Sequence, residues 1–160
     1  MIRTKREYEA SLKKLMQNDD ALLKQRSELE RLELSKEDID LAMSPLINFR
    51  NQLKKDIKIY EGIKGHDWDL ILTLADPHHI GRFLIAIRIA YDLSQRDLAK
   101  LLGVTEAQVS KDEINEYHGI SFDRAVKIME IFKIKLFSLE INKDLNREDL
   151  FAINGVNNSY

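Results

Sequence analysis

Apolar side chains recur at Tyr8, Leu12, Leu15, Leu22, Leu29 and Leu32, the spacing of a single helical face. The polar run Gln17-Asn-Asp-Asp20 interrupts this stripe and predicts a loosened or bent stretch. Ser35-Lys-Glu-Asp38 then has the makings of a helix start, a hydroxyl cap followed by acids in the first turn. A second stripe runs Ile39, Met43, Leu46, Leu53, Ile57 and Tyr60, heptad-like except at Arg50. Pro45 predicts a kink, or a restart, near the beginning of this helix. Two long stripes joined by a short break predict an antiparallel helical hairpin over residues 1–64. Each seam is narrow, so the hairpin is expected to pack on the rest of the chain or on a second copy.

The pattern changes after Gly62, the first glycine of the chain. The segment 62–69, Gly-Ile-Lys-Gly-His-Asp-Trp-Asp, reads as a boundary, with Trp68 anchoring whatever follows. The short apolar run 70–75 fits either a helix or a strand. Asp76-Pro77 has the form of a cap and first helical position, opening a strongly apolar helix that ends near Asp92. Ser94 caps a second helix, Gln95 to Leu102, which turns Leu98, Ala99 and Leu102 inward. Gly103 is free to take the left-handed conformation that stops it, Val104 tucks into the core, and Thr105 caps a third helix from Glu106. With Val109 inward, Ala107 and Lys111 point nearly the opposite way, flanked by Glu106 and Ser110. Two helices around a glycine-containing three-residue turn have helix-turn-helix geometry. Ser121 caps a fourth helix. Beyond it Phe137, Leu139 and Ile141 alternate with polar residues, predicting a short strand that a second copy would pair. Residues 146–153 read as a last helical turn, and the end of the chain as a frayed tail.

Charge complicates this picture. The chain carries −2 overall, but residues 1–65 hold 14 basic and 12 acidic groups, a balance of +2. Residues 66–121 hold 5 and 9, a balance of −4, so the segment with helix-turn-helix geometry is the acidic one. Non-specific DNA affinity comes largely from phosphate neutralisation, which makes this distribution unfavourable at first sight. The absence of cysteine excludes a disulfide framework and thiolate metal sites. His78, His79 and His118 lack the companions of a zinc site, and adjacent histidines on a helix face different ways. Asp112, Glu113 and His118 come with no nucleophile, oxyanion hole or phosphate-cradling loop. No enzyme, metal or cofactor is therefore expected. No uninterrupted apolar span or signal-peptide pattern occurs, and the hairpin's polar faces mix both signs, so no membrane partner and a cytoplasmic location are expected.

Ser94-Gln95, Leu98-Ala99, Gly103-Val104-Thr105, Val109-Ser110 and Glu113 stand in mutual register, and together they resemble the lambda-repressor-like (XRE) helix-turn-helix family over roughly residues 80–134. The resemblance implies that Gln95 touches a phosphate and braces the third helix, and that Glu106, Ala107, Ser110 and Lys111 face the major groove. Lys111 has the chemistry to donate to a guanine edge, Glu106 to accept from cytosine N4, and Ala107 to meet a thymine methyl; Arg96 and Thr105 suit phosphates. It further implies that Glu113 pairs inward with Arg88, so that the acidic run is largely internal bracing. Asn115 stands where the family commonly has Gly and is expected to take a left-handed turn. Asp112 departs from an ordinarily apolar position and is expected to fix the following loop through backbone N–H or tyrosine hydroxyl groups. The expected protein is mainly α, with a helix-turn-helix domain over 65–141 and a tail over 142–160. It is expected to be a sequence-specific regulator that reads double-stranded DNA as a homodimer. The rival is an antitoxin-like module whose hairpin binds a partner protein; a scaffold that no longer binds DNA is a third reading.

Overall fold

The computed structural model describes residues 1–75 and 80–135. The chain is mainly helical, and no strand occurs among the described residues. The Asp76-Pro77 helix start, the strand proposed around Phe137, Leu139 and Ile141, the last helical turn and the tail lie outside them.

Helices α1 (Lys5–Arg31) and α2 (Lys36–Lys64) form the hairpin. Thr4 and Ser35 cap them, each side-chain oxygen accepting the N–H three residues on, from Glu7 and Asp38. Glu33, at φ 54°, turns the chain between them. Cross-helix contacts give the antiparallel alignment: Tyr8 stacks on Tyr60 with ring centroids 4.9 Å apart and donates to Glu61 at 2.7 Å. Further along, Asp19 faces Arg50 and Gln25 reaches the Ala42 carbonyl. Neither interruption read from the sequence breaks a helix. The helix of α1 is continuous through Gln17-Asn-Asp-Asp20, of which Asn18 is buried in the seam and Asp19 half-buried beside it, while Gln17 and Asp20 are exposed. Asn18 is the buried residue of α1, and Asp19 lies 2.5 Å from Arg50 without hydrogen-bond alignment. Pro45 lies inside a continuous α2 rather than restarting it, exposed on the outer side where its ring has room.

The hairpin and the remaining helices share a core. Ile57, Tyr60 and Ile63 of α2 join Ile71 of α3 (Trp68–Thr73) and nearly every residue of α4 (Ile80–Ala90) in one apolar cluster. Ile63 and Ile71 are fully buried, so the glycine-containing stretch between them is a corner of the core. The ambiguous run at 70–75 is helical in its first part. Trp68, at the start of α3, is half-exposed and tilts against Tyr91, which in turn stacks on Phe132. The apolar helix before Ser94 ends at Ala90, close to the expected end near Asp92, which takes φ 56° in the turn.

A second small cluster holds α5 (Gln95–Leu102) to α6 (Glu106–Ile114): Leu98, Ala99 and Val109, backed by Val104 and by Ile131 and Phe132 at the end of α7 (Phe122–Ile131) and just beyond it. Gly103 ends α5 at φ 70°, and Val104 N–H bonds back to the Ala99 carbonyl. The loop after α6 departs from expectation. Asn115 has φ −84°, and the left-handed residues are Glu116, Tyr117 and Gly119, at 48°, 58° and 74°. The turns at Glu116 and Tyr117 drive Tyr117 into the core against α4, where Gly81 receives the loop. A Cβ on Gly81 would overlap the Glu116 carbonyl, so only glycine permits the approach.

Two substitutions test this packing. Gly81→Ala is expected to cost about 1–3 kcal/mol in denaturant unfolding; an unchanged midpoint would show that the loop does not pack as described. Asn18 carries a buried amide oxygen with no partner, so Asn18→Leu is expected to raise Tm, and a lowered Tm would mean the polar layer is stabilising as it stands.

Candidate nucleic-acid interface

The exposed side of α6 is set by what the helix buries. Val109 and Glu113, one turn apart, are almost wholly inaccessible, which points their face into the domain. Ala107 and Lys111 are consequently exposed, with Ser110 partly covered beside them, and Glu106 and Thr105 open at the helix start. Ile114 continues the outward row and is 61% exposed. An apolar side chain on a solvated face leaves no signal in the sequence, because its periodicity is equally that of a core residue.

The face is held in place by a buried charge network. Arg88 of α4 donates from Nε and Nη2 to the two Glu113 carboxylate oxygens, at 2.5 and 2.7 Å. Gln95 Nε2 gives Glu113 a further hydrogen bond at 2.8 Å. The remaining Arg88 donors bond the Leu93 carbonyl at 2.7 Å and the Arg3 carbonyl at 2.9 Å. Helices α4 and α6, the turn before α5 and the N-terminal segment therefore meet at one guanidinium. Arg88 and Glu113 are 3% and 0% exposed, so each depends on the other for compensation of its charge. Gln95 is committed to the interior through this bond while its backbone starts α5 at the surface.

The other acids are also engaged. Glu106 pairs with Arg96 at 2.9 Å across the outer edge of α5 and α6, and the carboxylate acceptor raises the guanidinium above its ordinary pKa. Two residues read from the sequence as DNA contacts thus neutralise each other in the free protein. Asp112 does not fix the loop by backbone or tyrosine hydrogen bonds. It accepts from Gln108 at 2.7 Å and from Arg124 of α7 at 2.9 Å, because its position on α6 faces α7. Only its own carbonyl reaches the loop, taking the Tyr117 N–H at 2.7 Å. The Tyr117 hydroxyl is buried with no partner, and that burial, with Glu113 nearby, drives its pKa upward. Glu116 meets Arg82 at 3.1 Å. At the front of α5, Ser94 and Asp97 form a capping box, and the bonds donated by the Ser94 hydroxyl and backbone N–H hold the Asp97 carboxyl below its usual value.

Two short helices at a glycine turn, a shared apolar seam and an exposed second helix have one established counterpart. Residues 84–139 match the family model described as helix-turn-helix. The chain carries a helix-turn-helix domain of the lambda-repressor-like kind. This is the domain of DNA-binding regulators of the XRE type. No curated protein and no solved structure matches the chain. Among the described residues no helix is long and apolar enough to cross a membrane, and no group of three His, Asp or Glu side chains is arranged to hold a metal.

Removing Arg88 strands the Glu113 carboxylate inside the helix-turn-helix domain. Arg88→Ala is expected to lose about 3–5 kcal/mol, and replacing both partners with apolar residues should restore much of it. An unchanged Tm for the single variant would contradict the network. The Asp97 contribution should be fully present above the ordinary carboxylate range and vanish as pH falls through the lowered folded value. Asp97→Asn should therefore be less stable than the parent near neutrality and equal to it in strong acid; a gap that persists in acid would point to another cause.

Proposed function

We propose that the protein is a cytoplasmic, sequence-specific transcriptional regulator that binds double-stranded DNA as a homodimer. The observation that carries this reading is the outward row of α6, Ala107, Ser110, Lys111 and Ile114, locked at a fixed angle by the Arg88–Glu113 pair. A rigid exposed helix is what entry into a major groove requires. Lys111 supplies a donor for guanine, Ala107 and Ile114 supply apolar contact for thymine methyls, and Ser110 suits either. Thr105 and Arg96 stand at the edge for phosphates, and the Arg96–Glu106 pair must open if either side chain is to touch DNA. The role is binding, with no catalysis and no cofactor. A dimer would set two copies of α6 about one helical turn apart on a near-palindromic site and double the modest count of phosphate contacts.

An antitoxin-like reading has its own support. The outer hairpin surface exposes Met16, Leu23 and Leu41, each at 70% or more, together with Leu32 and Phe49. A partner protein or a second copy would remove these from water. Sedimentation of the full chain separates the two occupants: a dimer supports self-association, and a monomer leaves the surface for a partner.

On a duplex selected from a randomised pool, Lys111→Ala is expected to cost about 1–3 kcal/mol, and distinctly less on mixed-sequence DNA. Equal losses on both would reduce Lys111 to a phosphate contact, and failure of the parent to bind any duplex in dilute salt would end the regulatory reading.

A further inference from the structure

The helix-turn-helix segment is short of available positive charge. Arg88 is buried on Glu113, Arg96 is paired with Glu106, Arg82 with Glu116, and Arg124 with Asp112. The first half of the chain has the opposite balance, +2 from 14 basic and 12 acidic residues. The fold brings part of that charge to the reading edge. Through the bond from Arg88 to the Arg3 carbonyl, the N-terminal segment is fixed beside the end of α4. A surface cleft there is lined by Arg3, Lys5 and Lys64 from the hairpin and by Ser94, Gln95 and Glu106 from the starts of α5 and α6. Lys5 is 84% exposed and meets Glu9 only at 3.9 Å. Lys64 pairs with Asp92, and both are solvated. Exposed pairs of this sort are worth roughly 0–1 kcal/mol, so a phosphate arriving at the cleft can take either lysine from its carboxylate.

Resting on the DNA-binding reading above, we propose that the base of the hairpin is part of the nucleic-acid surface. Lys5 and Lys64 contact the phosphodiester backbone beside the α5 N-terminus, outside the segment that reads bases. The hairpin thus supplies sequence-independent affinity to an acidic reading domain. The contact adds no base discrimination, since phosphates are alike at every position.

The test uses the full-length chain and a labelled mixed-sequence DNA duplex, titrated by fluorescence anisotropy over a range of salt. The double variant Lys5→Ala/Lys64→Ala is expected to bind several-fold more weakly in dilute salt, with a salt slope shallower by about one for each lysine. Lys5→Arg/Lys64→Arg should keep both affinity and slope. Lys24→Ala/Lys36→Ala removes the same net charge toward the far turn of the hairpin and should bind like the parent. If the cleft variant keeps the parent's affinity and slope, or if both alanine pairs lose equally, the hairpin contact is overturned while DNA binding by the recognition helix stands. If the parent itself ignores the duplex, both readings fall. Matching melting temperatures across the variants would establish that a loss of binding is a loss of contact.

Discussion

The buried Arg88–Glu113 pair is the constraint on which the rest of the molecule depends. An arginine and a carboxylate with almost no exposure must satisfy each other, and the geometry that does so leaves little freedom to their helices. Because Glu113 and Val109 both point inward, the opposite side of α6 is fixed as the solvent face. Because the same guanidinium also holds the Arg3 carbonyl, the start of the hairpin is fixed to the same point. Helix α6, helix α4 and the N-terminal segment are held together at one side chain.

The acidic character of residues 66–121 has a structural resolution. Glu113 is internal, Asp112 ties α6 to α7, Glu116 meets Arg82, Asp97 closes a capping box and Glu106 balances Arg96. Of the nine carboxylates of this segment, these four therefore tie separate elements together, and Asp97 caps its own helix. The same pairing consumes the segment's arginines, which explains why so few cations remain on its outer surface.

How far the sequence discloses this depends on whether a feature leaves a periodic or side-chain trace. The outward turn of Ala107 and Lys111 was legible because Val109 marks the buried side of a 3.6-residue period. The caps at Ser35, Ser94, Thr105 and Ser121, and the left-handed stop at Gly103, follow from local backbone chemistry and were legible too. The Arg88–Glu113 pair came from family resemblance, since nothing in the spacing of two residues 25 apart announces a contact. The Arg3 contact was invisible because a backbone carbonyl looks the same in every residue. Gly81 reads as an ordinary helical glycine until the loop that abuts it is in place. Asn115 drew attention as the residue most tolerant of positive φ, but tertiary packing of Tyr117 moved the strained positions to Glu116 and Tyr117. Pro45 and Gln17-Asn-Asp-Asp20 both lie inside continuous helices, because long helices with a packed partner absorb local penalties that would end an isolated one.

The polar layer inside the hairpin has a consequence for its uniqueness. Leucine-rich stripes are interchangeable from turn to turn, so a purely apolar seam tolerates sliding by a heptad at small cost. A buried Asn18 does not share that tolerance, since its amide gains nothing from an apolar neighbour. A polar layer of this kind favours one alignment of the two arms over its heptad-shifted neighbours, and the alignment in turn fixes how far the hairpin's outer turn stands from Arg88.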